Sequence, residues 1–338
     1  MTYQVYSLRD ARSPRPKRKF LVDKIIPERS FTAFYGYPGS LKSSLVMDMA
    51  MAVATGKPFL PAMPNSGGMF PGYNTFQVPV LWIDIDNGDD VTAERITAFA
   101  ENYKSPIDTP FYWMSYPSPA IKAVNSVSVD GLASFVLNSP YRPGWIIIDT
   151  LLRAAGVKDE NSSEMDAVLS NLHKLAETLR AALTVITHSR KEKSARAGNG
   201  LRGHSSIEGG LDAVFYVDRE SNNSDIIQVI NQKSRRMPVD PFSARWTYRS
   251  DPVSTELLEA RFYFESNTRV SKTQINMMNL CQLIIDVLKS SGSTNKTSLF
   301  GLVGGNRNNF EDALQKCVDD GLVTKRTGSR NAVYFEAV

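Results

Sequence analysis

Apolar positions along this chain fall into short unbroken runs separated by stretches of helical periodicity. Phe31-Thr32-Ala33-Phe34-Tyr35 reads as a buried strand entering a Gly/Pro/Ser turn. A helix is expected from Lys42 to Thr55, where Leu45, Val46, Met49 and Val53 recur on one face and Gly56 and Pro58 end the element. Pro61 to Tyr73, rich in Pro, Gly and Asn, is expected to be a surface loop or insertion. Further strands are expected at Val78 to Ile85, Trp145 to Ile148 and Leu183 to Thr187. Between the last two, Met165 to Arg180 carries a helical stripe of Leu169, Leu172, Leu175 and Leu179. Apolar strands alternating with helices predict an α/β fold with a mainly parallel central sheet.

The texture then changes twice. Ala213 to Val217, Ile226 to Ile230, Arg245 to Tyr248 and Arg261 to Phe264 are short β-rich runs without long helices between them, expected as edge or antiparallel additions to the same sheet. From Lys272 a helix over Gln274 to Lys289, a short one near Thr297 and a third over Phe310 to Asp319 precede Leu322 to Arg326 and Ala332 to Phe335, a hairpin around Gly328. Three helices followed by a hairpin form a winged-helix pattern. The predicted division is a basic extension over 1–19, a large α/β domain over 20–270 and a small winged-helix domain over 271–338.

Composition changes little in this picture. With 42% hydrophobic and 22% charged residues the chain has globular balance, and a formal charge of +4 does not by itself indicate a polyanion partner. The basic run Arg9, Arg12, Arg15, Lys17, Arg18 and Lys19 lacks the apolar core of a signal peptide and reads either as a solvated tail or as a polyanion-binding arm. No apolar run approaches the length of a membrane span, so a soluble, cytoplasmic protein is expected. Cys281 and Cys317, without CxxC spacing, are expected as reduced core thiols.

The chemistry sits at strand ends. Gly36-Tyr37-Pro38-Gly39-Ser40-Leu41-Lys42-Ser43-Ser44 fits a phosphate-binding P-loop for ATP, except that Leu41 stands where the second glycine is expected. In such a loop backbone N–H groups converge on the phosphates at a helix N-terminus, Lys42 reaches the β/γ oxygens as a surface-facing ligand group, and the Ser43 hydroxyl holds Mg2+. Leu41, just before the helix, is expected to need only an ordinary backbone conformation. Ile146-Ile147-Ile148-Asp149 is an apolar strand ending in a carboxylate, either a second magnesium anchor or a cap on the next turn. Asp86, ending Val80 to Asp86, is a candidate base or a helix cap, and Asp84 is expected to face away from the site. His188 ends a third strand and reads as a γ-phosphate sensor or as a satisfied core histidine. The glycine-punctuated loop Arg190 to Gly203 either tracks a nucleic-acid backbone or is simply solvated, and it has no aromatic residue for base stacking.

These residues together resemble the RepA-type hexameric replicative helicases, within the wider RecA/DnaB-like P-loop ATPases. The likeness runs from about Phe20 to Phe264. It rests on Phe20-Leu21-Val22 with Ile26-Pro27, the P-loop, Val80 to Asp86, Ile148-Asp149-Thr150-Leu151, Asp159-Glu160-Asn161, His188-Ser189-Arg190-Lys191 and Arg202-Gly203-His204-Ser205-Ser206. The resemblance implies an ATP-driven helicase or translocase, a hexameric ring on single-stranded DNA, serving replication of a plasmid, phage or other mobile element. It implies that Lys233 and Arg235 enter a neighbour's site, with Arg202 a competing finger. The family's strand-end acid is usually glutamate, so Asp86 is one methylene short. The winged helix would present Asn295, Lys296, Asn306, Arg307, Asn308, Asn309, Lys325, Arg326 and Arg330 to duplex DNA, or dock a replication protein. An ATPase that loads or remodels other proteins, and an ATP-responsive DNA-binding regulator with little turnover, are the alternatives.

Overall fold

The computed structural model describes residues 5–14, 19–64, 68–157, 164–188, 209–219, 221, 224–235, 238–266, 272–327 and 333–338. Helix α1 (Leu8–Arg12) precedes a small antiparallel pair, β1 (Phe20–Val22) and β2 (Ile26–Pro27). The alternating part runs β3 (Phe31–Gly36), α2 (Lys42–Thr55), β4 (Val80–Asp84), α3 (Asp89–Tyr103), β5 (Phe111–Ser115), α4 (Ser126–Asn138), β6 (Trp145–Asp149), α5 (Leu151–Ala155), α6 (Met165–Leu179) and β7 (Ala182–His188). Strands β8 (Ala213–Arg219), β9 (Ile226–Ser234), β10 (Phe242–Ser250) and β11 (Leu257–Ser266) follow.

All of these strands from β3 onward form one nine-stranded sheet in the order β11-β10-β9-β8-β3-β7-β6-β4-β5. From β8 to β5 neighbours are parallel, and β9, β10 and β11 extend it antiparallel, as the β-rich runs predict. The parallel strands read as continuous apolar runs because both faces are covered. Alternation sends Trp145 and Ile147 of β6 into a core shared with α2 and α3, and Ile146 and Ile148 into a second core under α4, α5 and α6. The same alternation puts Asp84 and Asp149, register partners, on the α2 face.

The segment expected as a surface loop or insertion is tied to the sheet, where the Phe264 N–H donates to the Pro61 carbonyl. Phe59 and Tyr73 exchange backbone hydrogen bonds, and Phe70 packs on Phe264 of β11 at 4.2 Å between ring centroids. Strand β4 begins at Val80 rather than Val78, since Pro79 has no N–H for the ladder and offers its carbonyl to Gly144 instead.

An ionisable group lies inside the first core. Asp48 of α2 is fully buried, with Arg261 of β11 and Tyr103 of α3 around it. The Tyr103 hydroxyl donates to the Asp48 carbonyl at 3.3 Å, and the Arg261 guanidinium stacks 4.0 Å from the Tyr103 ring centroid. Neither Asp48 carboxylate oxygen receives a well-formed hydrogen bond, and the buried Arg261 Nε likewise lacks a partner. Burial pushes the Asp48 carboxyl up to about 7, against the opposing pull of Arg261 and the nearby Phe262 N–H and Tyr103 hydroxyl.

The C-terminal residues build a separate core from α7 (Lys272–Ser291), β12 (Thr294–Asn295), α8 (Lys296–Val303), α9 (Arg307–Asp319), β13 (Val323–Thr327) and β14 (Val333–Ala337). The three strands pair in the order β12-β14-β13, and Cys281 and Cys317 lie buried as free thiols in this core. Among the described residues no helix is long and apolar enough to cross a membrane.

Candidate functional site

The C-terminal ends of β3, β6, β4 and β7 converge, and the segment after β3 wraps the start of α2. Gly36 has no room for a side chain: a Cβ there would lie 2.3 Å from the Val217 carbonyl oxygen. Gly39 takes φ +81, which favours glycine. Leu41, expected in an ordinary conformation, instead occupies the left-handed region with φ 61 and ψ 19 as the N-cap of α2. A leucine there costs about 1–2 kcal/mol relative to glycine, and packing of its side chain against the first core offsets part of that. The N-terminus of α2 has no side-chain cap and no acidic residue in its first turn, so its free amides face an electropositive opening suited to an anion.

Lys42, in that first turn, is 4% exposed rather than surface-facing. Burial lowers its ammonium from the usual lysine range, while Asp149 and Asp86 pull it back up. Asp149 at the end of β6 is 1% exposed, and neither of its oxygens has a well-formed hydrogen bond. Burial pushes its carboxyl up to about 7; Asp84 and Asp86 add to the rise, and the nearby Ser43 hydroxyl and Lys42 oppose it. An orphaned buried carboxylate beside a serine hydroxyl and a lysine is an incomplete electrostatic arrangement. The donor set fits a magnesium–phosphate ligand: Asp149 and Ser43 would hold the cation, and Lys42 with the α2 N–H groups would hold the phosphates. The buried Ser40 hydroxyl, also without a partner, adds a polar group to the same loop.

Asp84 does not face away. Residues two apart on a strand share a face, so Asp84 could not be separated from Asp86 by alternation. Asp84 Oδ1 accepts the N–H groups of Asp86 and Asn87, each at 2.8 Å, and thereby shapes the turn that carries Asp86. Asp86 itself lies just beyond β4, near enough to Lys42, Asp149 and His188 to influence all three. Its carboxylate pairs with Arg153 Nε at 2.7 Å. His188 ends β7 as the register partner of Gly36; burial chiefly lowers its imidazole, with Lys42 and Arg153 acting the same way and Asp86 opposing.

Lys233 and Arg235 are not brought to this site. β9 runs antiparallel to β8, so both stand at the end of the sheet where β3 begins. There Arg235 bonds the Gly209 carbonyl at 2.6 Å and reaches Asp212 at 3.4 Å, and Asp212 in turn accepts the Phe31 N–H. Arg202, the basic loop from Arg190 to Gly203, Asp159-Glu160-Asn161, Arg15, Lys17, Arg18 and Arg330 lie outside the described residues. The polar residues expected to face a duplex are largely used within the small domain. Asn295 and Asn306 cap α8 and α9 with their side chains, and Lys296 and Arg307 both pair with Glu311.

Sequence reasoning missed Arg153 and Arg219. Arg219 ends β8 beside the loop and donates from Nη1 to the Gly39 carbonyl at 3.1 Å and from Nε to the Ser224 carbonyl at 2.7 Å. The available signal was a charged residue closing an apolar strand, Ala213 to Val217, on the same edge as the P-loop.

A family model described as AAA domain matches residues 3–194, more than half of the chain. Among solved structures, an isolated ATPase domain is similar at 15% identity and a TM-score of 0.45, covering 69% of this chain and 85% of that one. A DnaB-like replicative helicase, described with its interactions with primase, is similar at 15% identity and a TM-score of 0.47, covering 65% of this chain and 57% of that one. No curated protein matches.

Proposed function

The chain belongs to the AAA-domain family, and from that premise we propose that it is an ATP-hydrolysing helicase or translocase acting as an oligomeric, hexameric ring on single-stranded DNA in the replication of a mobile element. The observation that carries the ATPase reading is the meeting of an uncapped helix N-terminus, Lys42, Ser43 and the orphaned Asp149 at one sheet edge. In this reading the backbone N–H groups from Gly36 to Ser44, Pro38 excepted, and Lys42 hold the phosphates, and Ser43 and Asp149 would hold magnesium. Bound Mg2+ would supply positive charge that neutralises the transferred phosphoryl group. Asp86 orients the attacking water and accepts its proton, and His188 reports the terminal phosphate to the basic loop beyond β7.

Lys233 and Arg235 stand at the far end of the sheet from their own P-loop, which supports a role in a neighbour's site rather than their own. The three helices and three-stranded sheet of the C-terminal unit follow the element order of a winged helix, with duplex DNA or a replication protein as its partner. The capping and ion-pair use of Asn295, Asn306, Lys296 and Arg307 favours the protein partner over base readout.

The test is steady-state ATP hydrolysis with and without single-stranded DNA over a series of protein concentrations, with Lys42→Ala as control. Stimulation that rises cooperatively with concentration supports the ring. A DNA-independent or absent rate, with tight binding to duplex, would move the chain to an ATP-responsive DNA-binding regulator.

A further inference from the structure

Asp86 is fixed everywhere except at its side chain. Its N–H donates to Asp84 Oδ1 at 2.8 Å, and the Tyr116 hydroxyl at the end of β5 donates to its carbonyl at 2.9 Å. What remains free is rotation of the carboxylate, and Arg153 takes up that freedom through its Nε at 2.7 Å. Among the described residues this is the carboxylate's one hydrogen bond, and it engages Oδ1 while leaving Oδ2 without a partner. Arg153 lies on α5, whose N-cap position is Thr150, immediately after Asp149. One short helix therefore links the orientation of Asp86 to the strand end that carries the magnesium ligand. The two side chains are 57% and 34% exposed, and such a pair adds little to stability, so the fold has small need of it.

We propose that Arg153 is a positioning residue for ATP hydrolysis, holding the Asp86 carboxylate so that its free oxygen faces the attacking water. This rests on the reading of Asp86 as the base. The arrangement bears on the missing methylene, because an acid with less reach depends more on a fixed orientation, which the Arg153 contact supplies. In the step, the water oxygen bonds to the γ-phosphorus as the bond to the ADP oxygen breaks, and the water proton passes to Oδ2. ADP and inorganic phosphate leave, and the proton on Asp86 is returned to solvent. A guanidinium on Oδ1 keeps that oxygen from competing for the proton.

The experiment is ATP hydrolysis by the full chain with single-stranded DNA, for Arg153→Gln, Arg153→Lys, Asp86→Asn and the double Arg153→Gln/Asp86→Asn, with thermal melting of each. Arg153→Gln is expected to lower kcat about 10- to 100-fold with KM for ATP within about twofold and an unchanged melting midpoint. Arg153→Lys should restore part of kcat, and the double variant should turn over no more slowly than Asp86→Asn, since Arg153 acts only through that carboxylate. Wild-type kcat in Arg153→Gln, or a double variant that loses the product of the two single effects, overturns the proposal while leaving Asp86 as base. Wild-type kcat in Asp86→Asn, or a wild-type chain without turnover, overturns the base reading and the proposal together.

Discussion

Replacing Asp48 by Asn tests whether the buried group on the P-loop helix is neutral in the folded protein. Its carboxyl titrates at 3.8 in an exposed chain and at about 7 when folded. Between those values the folded protein keeps a proton that the unfolded chain has released. Stability therefore falls as pH rises through that window and levels off above about 7, where both states are ionised. At about 1.4 kcal/mol per tenfold, the full penalty is about 4 kcal/mol at pH 8 and about 2 kcal/mol at pH 5. Asn has nearly the same shape and carries no charge, so Asp48→Asn should gain about 2–3 kcal/mol more, relative to wild type, at pH 8 than at pH 5. Urea denaturation of both proteins, followed by circular dichroism at the two pH values, reads this double difference, and every other titrating group cancels. The competing physics is an ion pair with Arg261. If Asp48 is ionised and paired throughout, the variant will be less stable by the same amount at both pH values, because an unpaired buried guanidinium remains. That outcome refutes the neutral carboxyl.

Asp149→Asn should abolish magnesium-dependent turnover yet stabilise the nucleotide-free protein by about 1–3 kcal/mol, as differential scanning calorimetry at pH 8 would show, because an unsatisfied buried charge is removed. Gly36→Ala should destabilise by about 1–3 kcal/mol and weaken nucleotide binding, since its Cβ meets backbone that cannot move alone; a fluorescent ATP analogue and thermal melting report the two effects. Arg235→Ala should lower turnover by about 10³-fold with nucleotide affinity unchanged, and mixing it with inactive Lys42→Ala subunits should recover activity if the pair works in a neighbour's site. No recovery on mixing would remove that role.

The parallel half of the sheet was legible because burial on both faces leaves runs such as Ile146-Ile147-Ile148 with no polar interruption. Elements at its open side were not. β5 is an edge strand of half-buried aromatic residues, and α3 buries only Thr92, Ala98, Phe99 and Tyr103, too sparse a set to stand out as a stripe. β9 runs on to Ser234 through Asn231, Gln232 and Lys233, polar residues held in the strand by pairing with β8 rather than by their own preference. In the site, strand-end acids and the P-loop could be found by position along the chain. Arg219 offered only the weak signal of a charge closing an apolar strand and Arg153 none, because their partners, the Gly39 carbonyl and Asp86, are distant in sequence and the contacts exist only after the sheet is assembled. The asparagines of the small domain mislead for the opposite reason: capping their own helices uses up the groups that appeared free for a partner.

Leu41 changes the thermodynamics of the loop as well as its shape. Glycine at that position would let the unbound segment sample many conformations, and a phosphate ligand would have to freeze them out. Leucine, held in the left-handed region and anchored by its side chain in the core, has few alternatives to sample. The backbone strain is thus borne once, during folding, and under the proposed function a nucleotide would meet a loop that needs little further ordering, so that affinity would gain what flexibility would have cost at every encounter.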